Sequence, residues 1–421
     1  MRQSVLVLGG GAAGVSAAHQ AATAGLDVTL LEQAPQLGGL HRSQTVAGRV
    51  FDIGAFFFCD AHELLRTFPG ARASFVTACT TPVRITPTGS YDTYPMSFRG
   101  YLRDHGLVQS ALDLAQLVRG RVAPRRPATV PGFVESYLGR GMYRRSGLKT
   151  YIERLYGLPD GEIALEFAAQ RLGALQELTA TQMVRRWIRR RRADHGEVVV
   201  SLARHPDGFA VVYGAIAREL EQLGVQLTTG VTPTRLQRRG RRFVLETDRG
   251  THVADHVIST VPVRTALQLL RLPQEGQYET MTLHSLFFRG RVVPGGSVFY
   301  NFTPAGTWKR ATVFSRLYGA LPAEDHFTVE VTSHASDGTA AHAEDFIQHA
   351  TALGFVERPE LVGHLVTPDA YPLFRRGQSA GRAEDRAQLT RAGIHLAGRQ
   401  GRFEYLSSSQ AAQQAKSLVL T

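Results

Sequence analysis

Ser4-Val5-Leu6-Val7-Leu8-Gly9-Gly10-Gly11-Ala12-Ala13-Gly14 stands near the start of the chain and decides its fold. Val5 to Leu8 is an unbroken apolar run, as a central parallel strand buried on both faces requires. Gly9, Gly11 and Gly14 then satisfy G-x-G-x-x-G. Gly9 permits the tight turn, Gly11 lets backbone approach a pyrophosphate, and Gly14 permits close helix–strand packing. Ala12 to Ala24 carries Val15, Ala18 and Ala22 at helical spacing, and Gly25 stops the helix. The free N–H groups of its first turn, with Ala12 and Ala13 among them, favour phosphate. Asp27 to Leu31 reads as the second strand and ends on Glu32, 18 residues beyond Gly14. An acid there can accept hydrogen bonds from ribose hydroxyls, with Gln33 beside it. The opening therefore predicts an α/β, Rossmann-type dinucleotide-binding domain.

The chain has 421 residues, which suggests two or three structural units. With 43% apolar and 20% charged residues it should bury a globular core. The net charge of +12 favours anionic partners, whether phosphates, carboxylates, nucleic acid or acidic lipid, without choosing among them. The expected substrate is a small molecule that such charge would suit if anionic. Zinc-finger spacing and RNP motifs are absent, so no nucleic-acid partner is expected. Cys59 and Cys79 are the only cysteines, which points to a reduced, cytoplasmic setting. No apolar run reaches the roughly 18 residues of a membrane span. The 15 histidines lack metal-ligand spacing, so no metal is expected.

A second α/β region appears late. Phe209 to Leu223 has an apolar stripe of Val212, Ile216, Leu220 and Leu223, and Gly224 follows it. Gln226–Val231, Phe243–Thr247, His256–Thr260 and Ile394–Gly398 read as strands, and a final helix starts near Ser409. Residues 101 to about 195 look helical and Arg-rich. Residues 278–374 hold β-branched and aromatic runs such as Ser297–Tyr300 and Phe327–Val331. The expected division is a discontinuous dinucleotide domain (1–75, 205–275 and 385–421), a helical insertion (100–200) and an antiparallel-sheet substrate domain (76–99 and 276–384). The run Arg185-Arg186-Trp187-Ile188-Arg189-Arg190-Arg191-Arg192 has Val184, Trp187 and Ile188 at helical spacing. A peripheral membrane contact, a solvated helix face and an anion-attracting patch all fit it.

Further motifs carry a resemblance. Gly38-Gly39-Leu40-His41 and Phe51-Asp52-Ile53-Gly54-Ala55 follow the opening unit. Asp255-His256-Val257-Ile258-Ser259-Thr260-Val261-Pro262 and Ala397-Gly398-Arg399-Gln400-Gly401-Arg402-Phe403-Glu404-Tyr405 come in order behind them. Tyr151 to Leu158 and Ala168 to Arg171 lie between. Together they resemble the FAD-dependent family of amine oxidases, phytoene desaturases, protoporphyrinogen oxidases and UDP-galactopyranose mutases, the mutase-like branch most. The resemblance implies FAD, held non-covalently. It places Gly38, Gly39, Leu40, His41 and Gly54 near the flavin, and Gly398 and Arg399 beside the flavin or ribityl chain. Ser408, Ser409 and Gln410 would offer amides to the pyrimidine side, and Val231 to Pro233 an adenine contact weakened because Pro233 has no N–H.

The chain has one full G-x-G-x-x-G and no C-x-x-C, which argues against pyridine-nucleotide and disulfide reductases. Two catalytic uses of the scaffold stay open: an oxidoreductase of amine oxidase or protoporphyrinogen oxidase type, and a sugar-nucleotide pyranose/furanose mutase. A non-catalytic flavin-binding protein is the third. Departures from the mutase pattern favour the first. Where the family mutase has an arginine for the diphosphate, this chain has Glu279; Phe56-Phe57-Phe58 and Phe403 to Ser409 differ as well. At ~5 Å and an effective dielectric near 20 a unit-charge pair is worth roughly 3 kcal/mol, so a bare glutamate would repel a diphosphate. Candidate substrate-side residues are Tyr300, Arg310, Tyr371 and Tyr405, with Tyr94 near them; Arg310 could hold a carboxylate or phosphate bidentately. Gly11→Val should give a colourless or unstable protein, because a side chain would intrude where backbone meets pyrophosphate. Flavin absorbance per mole of purified protein checks this, and full occupancy would displace the phosphates from this turn.

Overall fold

The computed structural model describes residues 2–122, 127–166, 199–318, 324–335 and 338–419. Ala168–Arg171 and Arg185–Arg192 lie outside them. Strand β1 (Ser4–Leu8), helix α1 (Ala12–Thr23) and strand β2 (Asp27–Glu32) form the expected opening. β1 is central in a five-stranded parallel sheet of order 394–396, 256–259, β1, β2, 226–229. The reason for Gly14 is visible here: a Cβ at that position would lie 1.8 Å from the Gly9 carbonyl oxygen. Helices Phe209–Gln222 and Ser408–Lys416 pack with α1 on one face, through Val15, Ala18, Val212, Ile216, Ala411 and Ala415. Leu223, expected in the apolar stripe, is instead the exposed C-cap.

Three antiparallel strands, Pro233–Arg239, Arg242–Thr247 and Gly250–Ala254, cover the other side with Leu236, Phe243 and Leu245. Helices Phe98–Val122, Val130–Leu138, Arg140–Arg145 and Leu148–Tyr156 make up the described part of the Arg-rich region. The first of them breaks at Gly106 (φ 74°, ψ 167°).

The large sheet has seven strands, ordered 356–372, 280–292, 325–333, 308–313, 298–301, 82–85, 91–93. It is not wholly antiparallel, as expected from the sequence: 298–301 runs parallel to 82–85. The reason is connectivity. Strand 82–85 belongs to an early hairpin with 91–93, and it enters this sheet from a distant point in the chain. Helix Thr339–Ala352 covers one face with Ala343, Phe346 and Ala350 against Trp308, Phe288 and Phe355.

A buried ion pair joins strand Val199–Arg204 to the hairpin of Ser43–Val46 and Arg49–Asp52. The Arg204 guanidinium and Asp52 carboxylate meet at 3.0 Å, and both side chains are almost wholly buried. Arg204 also donates to the carbonyls of Val50, His205 and Pro206, while Asp52 accepts from Ser43 Oγ. Such a fully bonded pair adds little net stability but is costly to halve. Arg204→Met should therefore lower unfolding free energy by about 3–5 kcal/mol, and pairing it with Asp52→Asn should recover part of that loss. Urea denaturation of the wild type and the two variants would measure both effects.

Candidate functional site

Two glycine turns meet at the C-terminal ends of β1 and β2. Gly38 N–H donates to the Gly10 carbonyl at 3.0 Å, and a Cβ on Gly39 would lie 3.0 Å from Gly11 Cα. A Cβ on Gly11 meets only Gly39 Cα, at an ordinary 3.7 Å, so the fold itself tolerates a side chain there. α1 begins with no side-chain cap, which leaves its first-turn N–H groups, at Ala12, Ala13 and Gly14, for an anion. Glu32 accepts from Gly10 N–H at 2.6 Å and Ala34 N–H at 2.7 Å, one on each oxygen. Each oxygen keeps lone-pair capacity for a hydroxyl. Gln33 beside it is exposed. Arg42 follows the second glycine turn; its Nε is buried without a hydrogen-bond partner, and burial lowers its pKa against the pull of Glu32. A cradle free of side chains, an uncapped helix start and an orphaned buried guanidinium N–H together fit a dinucleotide pyrophosphate.

The sequence reading of His41 needs correction. It is a core residue of an aromatic cluster: its Nδ1 lies 2.9 Å from the Tyr213 hydroxyl and its ring stacks on Phe209. Phe56 and Phe58 meet it edge-on, and burial drives its pKa down to about 3. The adenine contact also needs correction. Val231 N–H is spent on the Glu32 carbonyl and Thr232 N–H on Asp248, so with Pro233 no amide of 231–233 is left to donate. Gln410 closes a capping box with Ser407. The hydroxyls of Ser408 and Ser409 hold His62 Nε2 and Glu63 N–H, both at 2.9 Å, which anchors the start of the last helix on segment 62–63.

The substrate-side candidates do come together. Cross-strand pairing places Tyr300, Arg310, Glu330 and Ser285 in one row across four strands of the large sheet. Residues directly opposite one another share a face. This face grips the turn after Asp52: Thr328 Oγ1 donates to the Asp52 carbonyl, Ser285 Oγ to the Ile53 carbonyl, and Ala55 N–H to Glu330. Gly54 lies above the Glu330 carboxylate, 3.4 Å from where its Cβ would be. A register shift between Trp308 and Arg310 brings Lys309 to the same carboxylate as its neighbour Arg310. Lys309 Nζ lies 3.4 Å from Glu330 and 4.3 Å from the Tyr371 ring centroid.

Arg310 is not a free fork. Its Nε and Nη2 bind Glu330 at 2.6 and 2.8 Å. Burial opposes both charges, yet their attraction raises the Arg310 pKa and holds the Glu330 carboxyl below its ordinary value. Around the pair, Tyr94 stacks on Tyr300 at 3.9 Å, and Tyr371 stacks on Tyr405 at 6.4 Å. Arg399 lies within 6 Å of both latter rings and donates to the Leu406 carbonyl. Among the described residues no carboxylate pairs with Arg399, and its guanidinium shares the Tyr371 ring with Lys309, one of the two cations on Glu330. Gly398 (φ 82°) brings this loop against α1, where a Cβ would lie 2.7 Å from Ala13 Cβ. Leu40 packs below, with Ile53, Leu283 and Tyr371.

Glu330, Lys309 and Arg42 were missed from the sequence. The signal was present for Glu330, a lone acid within Phe327-Thr328-Val329-Glu330-Val331. Glu279 is not bare either: Arg375 Nε binds it at 2.9 Å and Gln378 donates to it at 3.0 Å. Burial works against its charge, but these partners keep its pKa below the ordinary value. No cluster of His, Cys, Asp and Glu among the described residues could hold a metal.

Residues 7–68 match the family model for an NAD(P)-binding Rossmann-like domain. A search of curated protein sequences finds no match. Among solved structures, reduced UDP-galactopyranose mutase is similar at a TM-score of 0.78 and 18% identity, covering 99% of this chain and 93% of that one. A protein from Exiguobacterium sp. 255-15 assigned as a protoporphyrinogen oxidase is similar at 0.73 and 18%, covering 99% and 97%. Putrescine oxidase bound to putrescine is similar at 0.60 and 15%, covering 99% and 98%. The chain has the fold of the amine oxidase-like flavoproteins. Among the described residues no helix is long and apolar enough to cross a membrane.

The buried histidines carry a pH signature. His41 and His62 drop from an ordinary 6.5 to about 3 and about 4, through burial first. The unfolded chain therefore binds more protons below pH 6.5, and stability should fall there as pH decreases, by roughly 1.4 kcal/mol per pH unit per histidine, until the folded values are reached. Above pH 7 neither contributes a slope. His41→Phe should flatten the acid limb in urea melts at stepped pH; an unchanged slope would place the proton uptake elsewhere.

Proposed function

We propose that this chain is an FAD-dependent oxidoreductase acting on a small molecule that bears an anionic group. The observation that carries the reading is the bare pyrophosphate cradle between Gly9–Gly14 and Gly38–Gly39, with the unpartnered Arg42 Nε beside it. In this reading the first-turn amides of α1 and Arg42 hold the pyrophosphate, and Glu32 accepts from the ribose. Gly54, Ala55, Gly398 and Arg399 line the place of the flavin, next to Tyr300, Tyr371 and Tyr405. FAD, when bound, supplies a two-electron acceptor.

The chain's own residues do the positioning. Glu330, with four donors on it, keeps the Gly54–Ala55 turn flat against the sheet. Lys309, Arg310 and Arg399 leave an excess of positive charge at that spot, which favours negative charge on a bound group in a water-poor site. The tyrosine pairs offer ring faces and hydroxyls to orient a substrate. The one carboxylate of the cluster is occupied by its cations, so it offers no free general base.

One observation favours a second reading, a sugar-nucleotide mutase. Arg375 and Gln378 offset Glu279, which removes the electrostatic objection to a diphosphate. UDP-galactopyranose mutase is also among the similar structures. Anaerobic titration of the purified yellow protein separates the two. Bleaching by a substrate in the absence of any other reductant is the expected result. Turnover of UDP-galactopyranose appearing only after dithionite reduction would replace the oxidoreductase with the mutase. Acid precipitation should release free FAD, and colour retained in the pellet would contradict the non-covalent assignment.

A further inference from the structure

Beyond the break at Gly106, helix 107–122 turns an apolar stripe outward. Leu107, Val108, Leu112 and Leu114 are 76%, 77%, 55% and 43% exposed, and Ala111 and Ala115 between them are exposed as well. At 3.6 residues per turn these six positions form one continuous stripe. The face turned to the protein carries buried Ser110, Asp113 and Leu117, two polar side chains and one apolar. Buried Asp113 accepts from the Tyr101 hydroxyl at 2.6 Å and Arg145 Nε at 2.8 Å, and Gln116 accepts from Gly141 N–H at 3.1 Å. A contiguous apolar stripe this exposed marks a contact surface.

Charge chooses the occupant, and the chain as a whole carries a net +12. Arg140 and Arg144 are exposed on the neighbouring helix. A second copy docking about a twofold axis would set Arg140 and Arg144 against their own copies. An anionic lipid surface meets both demands: acyl chains for the stripe and headgroup charge for the arginines. We propose that helix 107–122 docks the protein peripherally on anionic membranes.

The test is co-sedimentation of the full-length, flavin-loaded protein with phosphatidylcholine vesicles, with and without about three parts in ten phosphatidylserine. The expected result is binding to the anionic vesicles only, weakened by salt. Leu107→Asp/Leu112→Asp should cut it about tenfold or more. Both positions are outside the core, so an unchanged melting temperature would verify that the variant is folded. Three results overturn the proposal: no binding to anionic vesicles, full binding by the variant, or a wild-type dimer that the variant dissociates. The second would move membrane contact to another surface, and the third would make a second copy the occupant.

Discussion

Glu330 is the point on which the site is built. Its buried carboxylate receives two N–H groups of Arg310, the Lys309 ammonium and the Ala55 amide. The first two groups belong to the neighbouring strand and the last to the turn after Asp52, so one side chain couples the large sheet to the Rossmann half. An isolated carboxylate at this depth would be prohibitive; four donors make it tolerable. Such an arrangement adds little net stability. Its product is position: Gly54 rests at van der Waals distance above the carboxylate, and Tyr300 and Tyr371 stand on either side.

The second constraint lies in the two glycine turns. Gly14 fits only without a Cβ, and Gly39 comes within contact of Gly11. Backbone thereby surrounds the anion site, and the helix start supplies its donors. Arg42 and Glu32 flank this cradle with opposite charges. Both ends of a bound dinucleotide would thus meet rigid secondary structure, which keeps functional geometry more exact than mobile loops do.

Charge compensation recurs across the molecule, and it alters how single residues are read. Arg310 in isolation suggests an anion clamp, and Glu279 an anion repellent. Each has a partner more than 15 positions away in the chain, Glu330 and Arg375, that changes its meaning. Arg399 is the converse. It has tyrosine faces and a carbonyl around it, so its charge is left to act on whatever occupies the site.

The sequence by itself determined the Rossmann opening, because phosphate turns, strand ends and helix stops are written in residues that neighbour one another. Gly9 to Gly14, Gly25 and Glu32 need no distant partner to be interpreted. It also offered Tyr300 and Arg310 on the expected sheet insertion, and Tyr371 and Tyr405 in family-like segments, as substrate-side candidates. Tertiary structure alone decided what those residues face. The register of 298–301, 308–313 and 325–333 lines up Tyr300, Arg310 and Glu330, and the shift at Trp308 adds Lys309. The same holds for His41, which looked like a cofactor ligand and is a neutral core histidine among Phe56, Phe58, Phe209 and Tyr213. Local patterning records backbone conformation; burial and cross-strand partners arise from pairings between distant segments, and a single sequence does not write those pairings down.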